Sequence, residues 1–113
     1  MNTVIYRLPE GDLASRTQAI PQRHKIETLL FEGYTIKLDL SGVLSLSESY
    51  SDEIFGVLVV KHGQKKILSC LKVQNASPTI LKSIARVIQR RSNELKLSRP
   101  VNDDKSQFSW ASC

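Results

Sequence analysis

Residues 45–53 read Ser-Leu-Ser-Glu-Ser-Tyr-Ser-Asp-Glu, the densest run of hydroxyl and carboxylate side chains in the chain. Their spacing suits the start of a helix: Ser49 or Ser51 would cap the first turn, and Asp52 and Glu53 would sit against the positive end of its dipole. Neighbouring carboxylates on a helix diverge, so Asp52 and Glu53 do not read as a joint acid–base pair. Tyr50, a large aromatic at a helix start, is either a contact residue or part of the core. Arg16 heads an earlier helix, where a cation opposes the dipole, and it is placed to pair with Asp52 or Glu53. His24 and His62 lack metal-spaced neighbours, and Cys70 and Cys113 add none, so neither metal nor cofactor is expected. Gly33, Gly42, Gly56 and Gly63 stand singly rather than in a phosphate-binding loop. With no nucleophile elbow or triad order either, an enzyme is not expected.

The elements that must carry these residues follow from periodicity. Residues 4–8 form a short β-prone run, closed by the turn residues Pro9-Glu10-Gly11-Asp12. Ser15 to Gln18 matches a capping box, and a helix follows to about Phe31, with a kink or late start expected at Pro21. Residues 34–40 alternate, with Tyr34, Ile36, Leu38 and Leu40 on one face and Thr35, Lys37 and Asp39 on the other. The helix after the serine-rich stretch runs to His62-Gly63. Residues 66–74 read as a third strand. The last helix starts at Ser77-Pro78 and runs to about Leu95. On it Ile80, Leu81, Ile84, Ala85, Val87 and Ile88 share an arc opposite Lys82, Arg86 and Arg90, while Arg91 falls within the apolar arc. That end of the helix is expected to overhang the sheet. The order β-α-β-α-β-α predicts an α/β fold, with a small, mostly parallel or mixed sheet and helices packed mainly on one face.

The bulk composition agrees with one folded domain: 113 residues, 41% hydrophobic and 24% charged. We divide it as residues 1–98, a single domain, and residues 99–113, a polar tail docked through Phe108 and Trp110 or loose. The net charge is +5, and residues 82–99 alone, with six basic residues and one acid, account for all of it. The basic face Lys82, Arg86 and Arg90 reads first as a solvated surface. Nucleic-acid binding through this helix is the alternative, but no aromatic is interleaved among the charges. No apolar run suits a membrane span, no basic region precedes an apolar leader, and two cysteines make no disulfide framework. A cytoplasmic location without membrane association is therefore expected.

The run LDLSGV at residues 38–43, followed by a hydroxyl-rich turn and a helix, resembles the strand–loop–helix core of STAS domains, the fold of anti-anti-sigma factors. More closely, the chain resembles a bacterial STAS-like family of unknown function, DUF4325. The similarity includes Leu13-Ala14-Ser15-Arg16, Ser49-Tyr50-Ser51-Asp52-Glu53 and, toward STAS domains, Asn75-Ala76-Ser77-Pro78. It spans roughly residues 11–92. The resemblance implies a regulatory, signalling role: docking a protein partner, such as an ATPase-type kinase or a transcription or defence regulator, through residues 45–53. The partner-binding residues would be Ser47, Glu48, Ser49, Tyr50, Asp52, Glu53 and Arg16. It also implies a phosphorylated serine at the loop–helix junction. Glu48 stands at that position here, so either Ser49 or Ser47 takes over as the acceptor or this branch is not phosphorylated.

Overall fold

The computed structural model describes residues 2–97; the expected tail at 99–113, with Phe108 and Trp110, lies outside them. Three parallel strands, β1 (Thr3–Arg7), β3 (Thr35–Asp39) and β5 (Leu71–Gln74), form a sheet in the order β1-β3-β5. Two more, β2 (Gly11–Leu13) and β4 (Val43–Leu46), pair in parallel as a second small sheet. The main sheet is covered on one face only. Ile36 and Leu38 are fully buried, whereas Lys37 between them is exposed. On β1 the outward Ile5 is 66% exposed, and Val4 and Tyr6 pack against the core. The period-two pattern of residues 34–40 thus appears directly in the fold.

Helix α1 (Arg16–Phe31) begins at the expected cap, Ser15, whose Oγ accepts from Gln18 N–H at 3.3 Å. Pro21 lies inside this helix without delaying its start. The serine-rich stretch opens α2 (Glu48–Ser51), which passes through a π-helical turn (Asp52–Gly56) into α3 (Val57–His62). In that turn Val57 N–H reaches Asp52 C=O, five residues back. Gly63, at φ +88°, then breaks the path, and α4 (Gln64–Cys70) begins at once. α5 (Pro78–Leu97) returns along the helical layer, with Ser77 Oγ accepting from Ile80 N–H at 3.2 Å.

Three expectations change. Residues 66–74 are not one strand: residues up to Cys70 belong to α4, and only Leu71–Gln74 join the sheet. Ile67 and Leu71, four apart, are both buried, a spacing that fits a helical turn leading into the core. Gly11 and Asp12 belong to a strand rather than a turn. Along α5, Leu81 and Ala85 are exposed, while Ile80, Ile84, Val87 and Ile88 pack inward. The core formed by these four joins Leu8, Ile26, Ile36, Leu38, Tyr50, Phe55 and Leu58.

Candidate functional site

The two small sheets aim the serine-rich stretch. Asp39 Oδ1, in the LDLSG run, accepts from Ser41 N–H at 3.0 Å and from Asn75 Nδ2 at 2.9 Å, tying together the loops that follow β3 and β5. The bond from Asn75 is the larger of the effects that lower the Asp39 pKa. Ser45 Oγ donates to Asp12 Oδ1 at 2.6 Å, holding β4 to β2. Ser47 then caps the helix: its Oγ accepts from Tyr50 N–H at 3.0 Å and donates to Ala14 C=O at 2.7 Å. The cap is therefore Ser47 rather than Ser49 or Ser51, because β4 delivers the chain two residues earlier than the sequence suggested.

Below this start the helix dives into the molecule. Tyr50 is 1% exposed and belongs to the core, so of its two readings the core one holds and the contact role falls away. Ser51 is fully buried, and Asp52 and Glu53 are buried as well. The two carboxylates are not surface partners of a helix dipole. They lie inside an ion-pair chain that joins four segments. Arg16 Nη2 meets Asp52 Oδ2 at 3.0 Å and its Nη1 meets Glu53 Oε1 at 3.1 Å, so one guanidinium spans both. Arg23 Nε donates to Glu53 Oε2 at 2.9 Å and its Nη1 to Glu27 Oε1 at 2.5 Å. The other Glu27 oxygen lies 3.1 Å from His62 Nε2 and 3.5 Å from Lys61 Nζ.

At the other end, Arg91 grips Asp52 with two bonds, Nε to Oδ1 at 2.8 Å and Nη2 to Oδ2 at 2.7 Å. Such a bidentate pairing is the strongest guanidinium–carboxylate geometry. An overhanging helix end is not needed to explain Arg91: it lies on the inward side of α5 because a carboxylate awaits it there. Arg90 pairs with Glu48 and reaches Asp52 Oδ1 at 3.5 Å. The bonds from Arg91, opposed by burial and helped by Arg16, hold the Asp52 carboxyl at a pKa of about 2. Burial tends to raise the Glu27 pKa, but His62, Lys61 and Arg23 together bring it below the usual value.

Gly56 completes the arrangement. A Cβ there would lie 2.3 Å from Asp52 Oδ1 and 3.1 Å from Arg91 Cγ, so only glycine leaves room for the Asp52–Arg91 pair. The wide π turn sets the same carboxylate over Gly56, and such turns recur at functional positions in helices.

What remains outside is a compact rim. Leu44 is 77% exposed, and Ser45, Glu48 and Ser49 are exposed beside it. The Arg16 side chain is 45% exposed and that of Arg90 40%. Of the residues singled out from the sequence, Ser47, Glu48, Ser49 and Arg16 lie at this rim; Tyr50, Asp52 and Glu53 form the frame beneath it. Lys82 and Arg86 are exposed farther along α5, and His24 faces solvent. Among the described residues no group of three His, Cys, Asp or Glu side chains is placed to hold a metal. None of the helices described is long and apolar enough to cross a membrane.

Arg23, Glu27 and Leu44 escaped the sequence reading. Arg23 and Glu27 had a signal: they fall four apart on the same helical face as Ala19, Ile26 and Leu30, where charges need partners.

Residues 18–81 match the family described as a STAS-like domain of unknown function (DUF4325). This chain belongs to that STAS-like family. No curated protein and no solved structure matches it. The matched stretch runs from α1 through the LDLSG strand, the rim and the π turn to the start of α5. It therefore contains most of the ion-pair chain, apart from Arg16 and the arginines of α5.

Proposed function

We propose that this STAS-like domain is a regulatory docking module that contacts a protein partner through the rim formed by Leu44, Ser45, Glu48 and Ser49. The observation that carries the reading is a contrast over a few residues. Leu44 is 77% exposed and its polar neighbours face solvent, while everything from Tyr50 to Gly56 is buried, with Asp52 and Glu53 tied by ion pairs. An exposed aliphatic anchor in a polar ring, mounted on a rigid base, is the kind of surface that gives a binding hot spot. Partner choice follows the resemblance to anti-anti-sigma factors: an ATPase-type kinase or a transcription or defence regulator.

Phosphoregulation, if this branch uses it, falls to Ser49. Both functions of the Ser47 hydroxyl are engaged in capping and in the bond to Ala14. Ser51 is fully buried, and Glu48 is paired with Arg90. A phosphate on Ser49 would add close to two negative charges at the N-terminus of α2, which the helix end favours and an acidic partner would not.

Affinity capture from the host with matched variants tests the reading. The wild-type domain and a Lys82→Glu/Arg86→Glu variant should retain the same protein partner, and Leu44→Asp and Ser49→Asp should lose it. Retention of the partner by Leu44→Asp, or recovery of nucleic acid alone, would overturn it.

A further inference from the structure

The main sheet ends at β5. In the order β1-β3-β5 this strand pairs with β3 on one side and, among the described residues, with no strand on the other. An open apolar groove of about 690 Å³ runs beside it, between α4 and α5. Leu68 and Leu81 line the groove yet remain 47% and 44% exposed, and Ala85, also in its wall, faces solvent. Lys72 lies in register with Lys37 on the uncovered face of the sheet. It nevertheless lines the groove as well, and its Nζ donates to Leu68 C=O at 2.9 Å. The groove therefore reaches around the outer edge of β5, where the inward side chains of a fourth strand would lie. An open edge beside exposed apolar side chains is a template for another strand.

Charge names the kind of strand. From Ile54 to Asn93 the chain has eight lysines and arginines and no aspartate or glutamate. Lys61, Arg90 and Arg91 are paired with Glu27, Glu48 and Asp52, all from outside that stretch. The others, among them Lys72, Lys82 and Arg86, enter no ion pair among the described residues. Lys82 and Arg86 stand one heptad before Gln89 and Asn93, which line the groove, so they flank its α5 wall. On the sheet Lys37 and Lys72 are exposed neighbours of like charge, with no carboxylate beside Lys72 to relieve them.

We infer that the outer edge of β5 and this groove form a docking site for an acidic, extended segment of a partner protein, added as a fourth strand. Alternate apolar residues of that segment face Leu68, Leu81 and Ala85, and the carboxylates between them lie beside Lys72. A second copy of this chain fits poorly, because pairing β5 with β5 would bring two Lys72 side chains and two basic rims together. The site shares no residue with the rim of Leu44, Ser45, Glu48 and Ser49, so each stands or falls separately.

A short fluorescein-labelled peptide of alternating valine and glutamate is the probe, titrated with the full chain and followed by fluorescence anisotropy. It should bind saturably, whereas its counterpart with lysine for glutamate should not. Leu81→Glu should abolish binding and Lys72→Glu weaken it about tenfold, since one attraction is exchanged for a repulsion. Leu44→Asp should leave it unchanged. Far-UV circular dichroism like that of the wild type would show that the variants fold. Methylating the valine amides or the glutamate amides of the peptide should have unequal effects. One set should abolish binding and the other spare it, because successive N–H groups of a strand point to opposite sides. Absence of binding, equal binding of the lysine peptide, or indifference to Leu81→Glu would overturn the inference. Equal loss with both methylated sets would rule out strand addition, and a dimer in sedimentation that Leu81→Glu dissociates would give the edge to a second copy instead.

Discussion

Asp52 carries more of this structure than any other charged residue, because three arginines converge on it. Arg91 holds it with two bonds, Arg16 bridges it to Glu53, and Arg90 approaches to 3.5 Å. Its carboxyl, depressed from 3.8 to about 2, ties stability to pH. The folded state binds this proton more weakly than the unfolded chain. The stabilisation is therefore complete above pH about 4 and is lost as pH falls toward 2, amounting to about 2 kcal/mol. Asp52→Asn should remove that part of the acid limb in chemical denaturation measured between pH 2 and 5. At neutral pH it should also cost about 3 kcal/mol, toward the low end for breaking a buried pair because Arg16 and Arg91 still reach water. An acid limb of unchanged steepness in the variant would show that other carboxylates govern it.

At the scale of elements, the π turn is where local preference and tertiary need conflict. Alanine is normally favoured over glycine within a helix by about 1 kcal/mol. At Gly56 the balance should reverse, since the added Cβ would lie 2.3 Å from Asp52 Oδ1 and displace the carboxylate from Arg91. We expect Gly56→Ala to destabilise the domain by about 1–3 kcal/mol, the usual penalty of overpacking, as read by the urea midpoint. In the background of Asp52→Ala the same change should become neutral or stabilising, because the clashing oxygens are gone. The elements most easily read from the sequence were those with a clean period. Alternation at Ile36 and Leu38 and the caps at Ser15 and Ser77 declared a strand and two helices. β2 and β4 were hidden because three or four residues show no period, and their pairing joins positions about thirty residues apart. α4 was misread because Ile67, Leu68, Leu71 and Val73 suit a strand as well as a helix until Gly63 fixes the direction of the chain. The candidate site was legible in its composition but not in its depth. The pairing of Arg16 with Asp52 and Glu53 could be anticipated from its place at a helix start, but the depth of the two carboxylates depends also on where Arg23 and Arg91 arrive, and no local pattern encodes that.

For the molecule as a whole, the excess of positive charge looks different once its partners are known. All of the net +5 falls in residues 82–99, which by itself suggests a face for nucleic acid. In the fold, Arg90 and Arg91 are turned toward Glu48 and Asp52, and Lys82 and Arg86 stand exposed on the outer side of α5. An arginine already paired with a carboxylate, as Arg91 is with the buried Asp52 and Arg90 with the exposed Glu48, adds less to counterion release, because it must break one ion pair to make another. Non-specific DNA binding should accordingly be weak and its salt dependence should follow the exposed pair. Lys82→Ala and Arg86→Ala should each flatten the slope of log K against log salt by about one, whereas Arg90→Ala should leave it nearly unchanged. Titrations of each variant with duplex DNA from low to physiological salt would measure this. A slope that flattens equally for Arg90→Ala would mean that its bond to Glu48 opens readily in solution, and that the rim proposed for a protein partner is also available to a phosphate backbone.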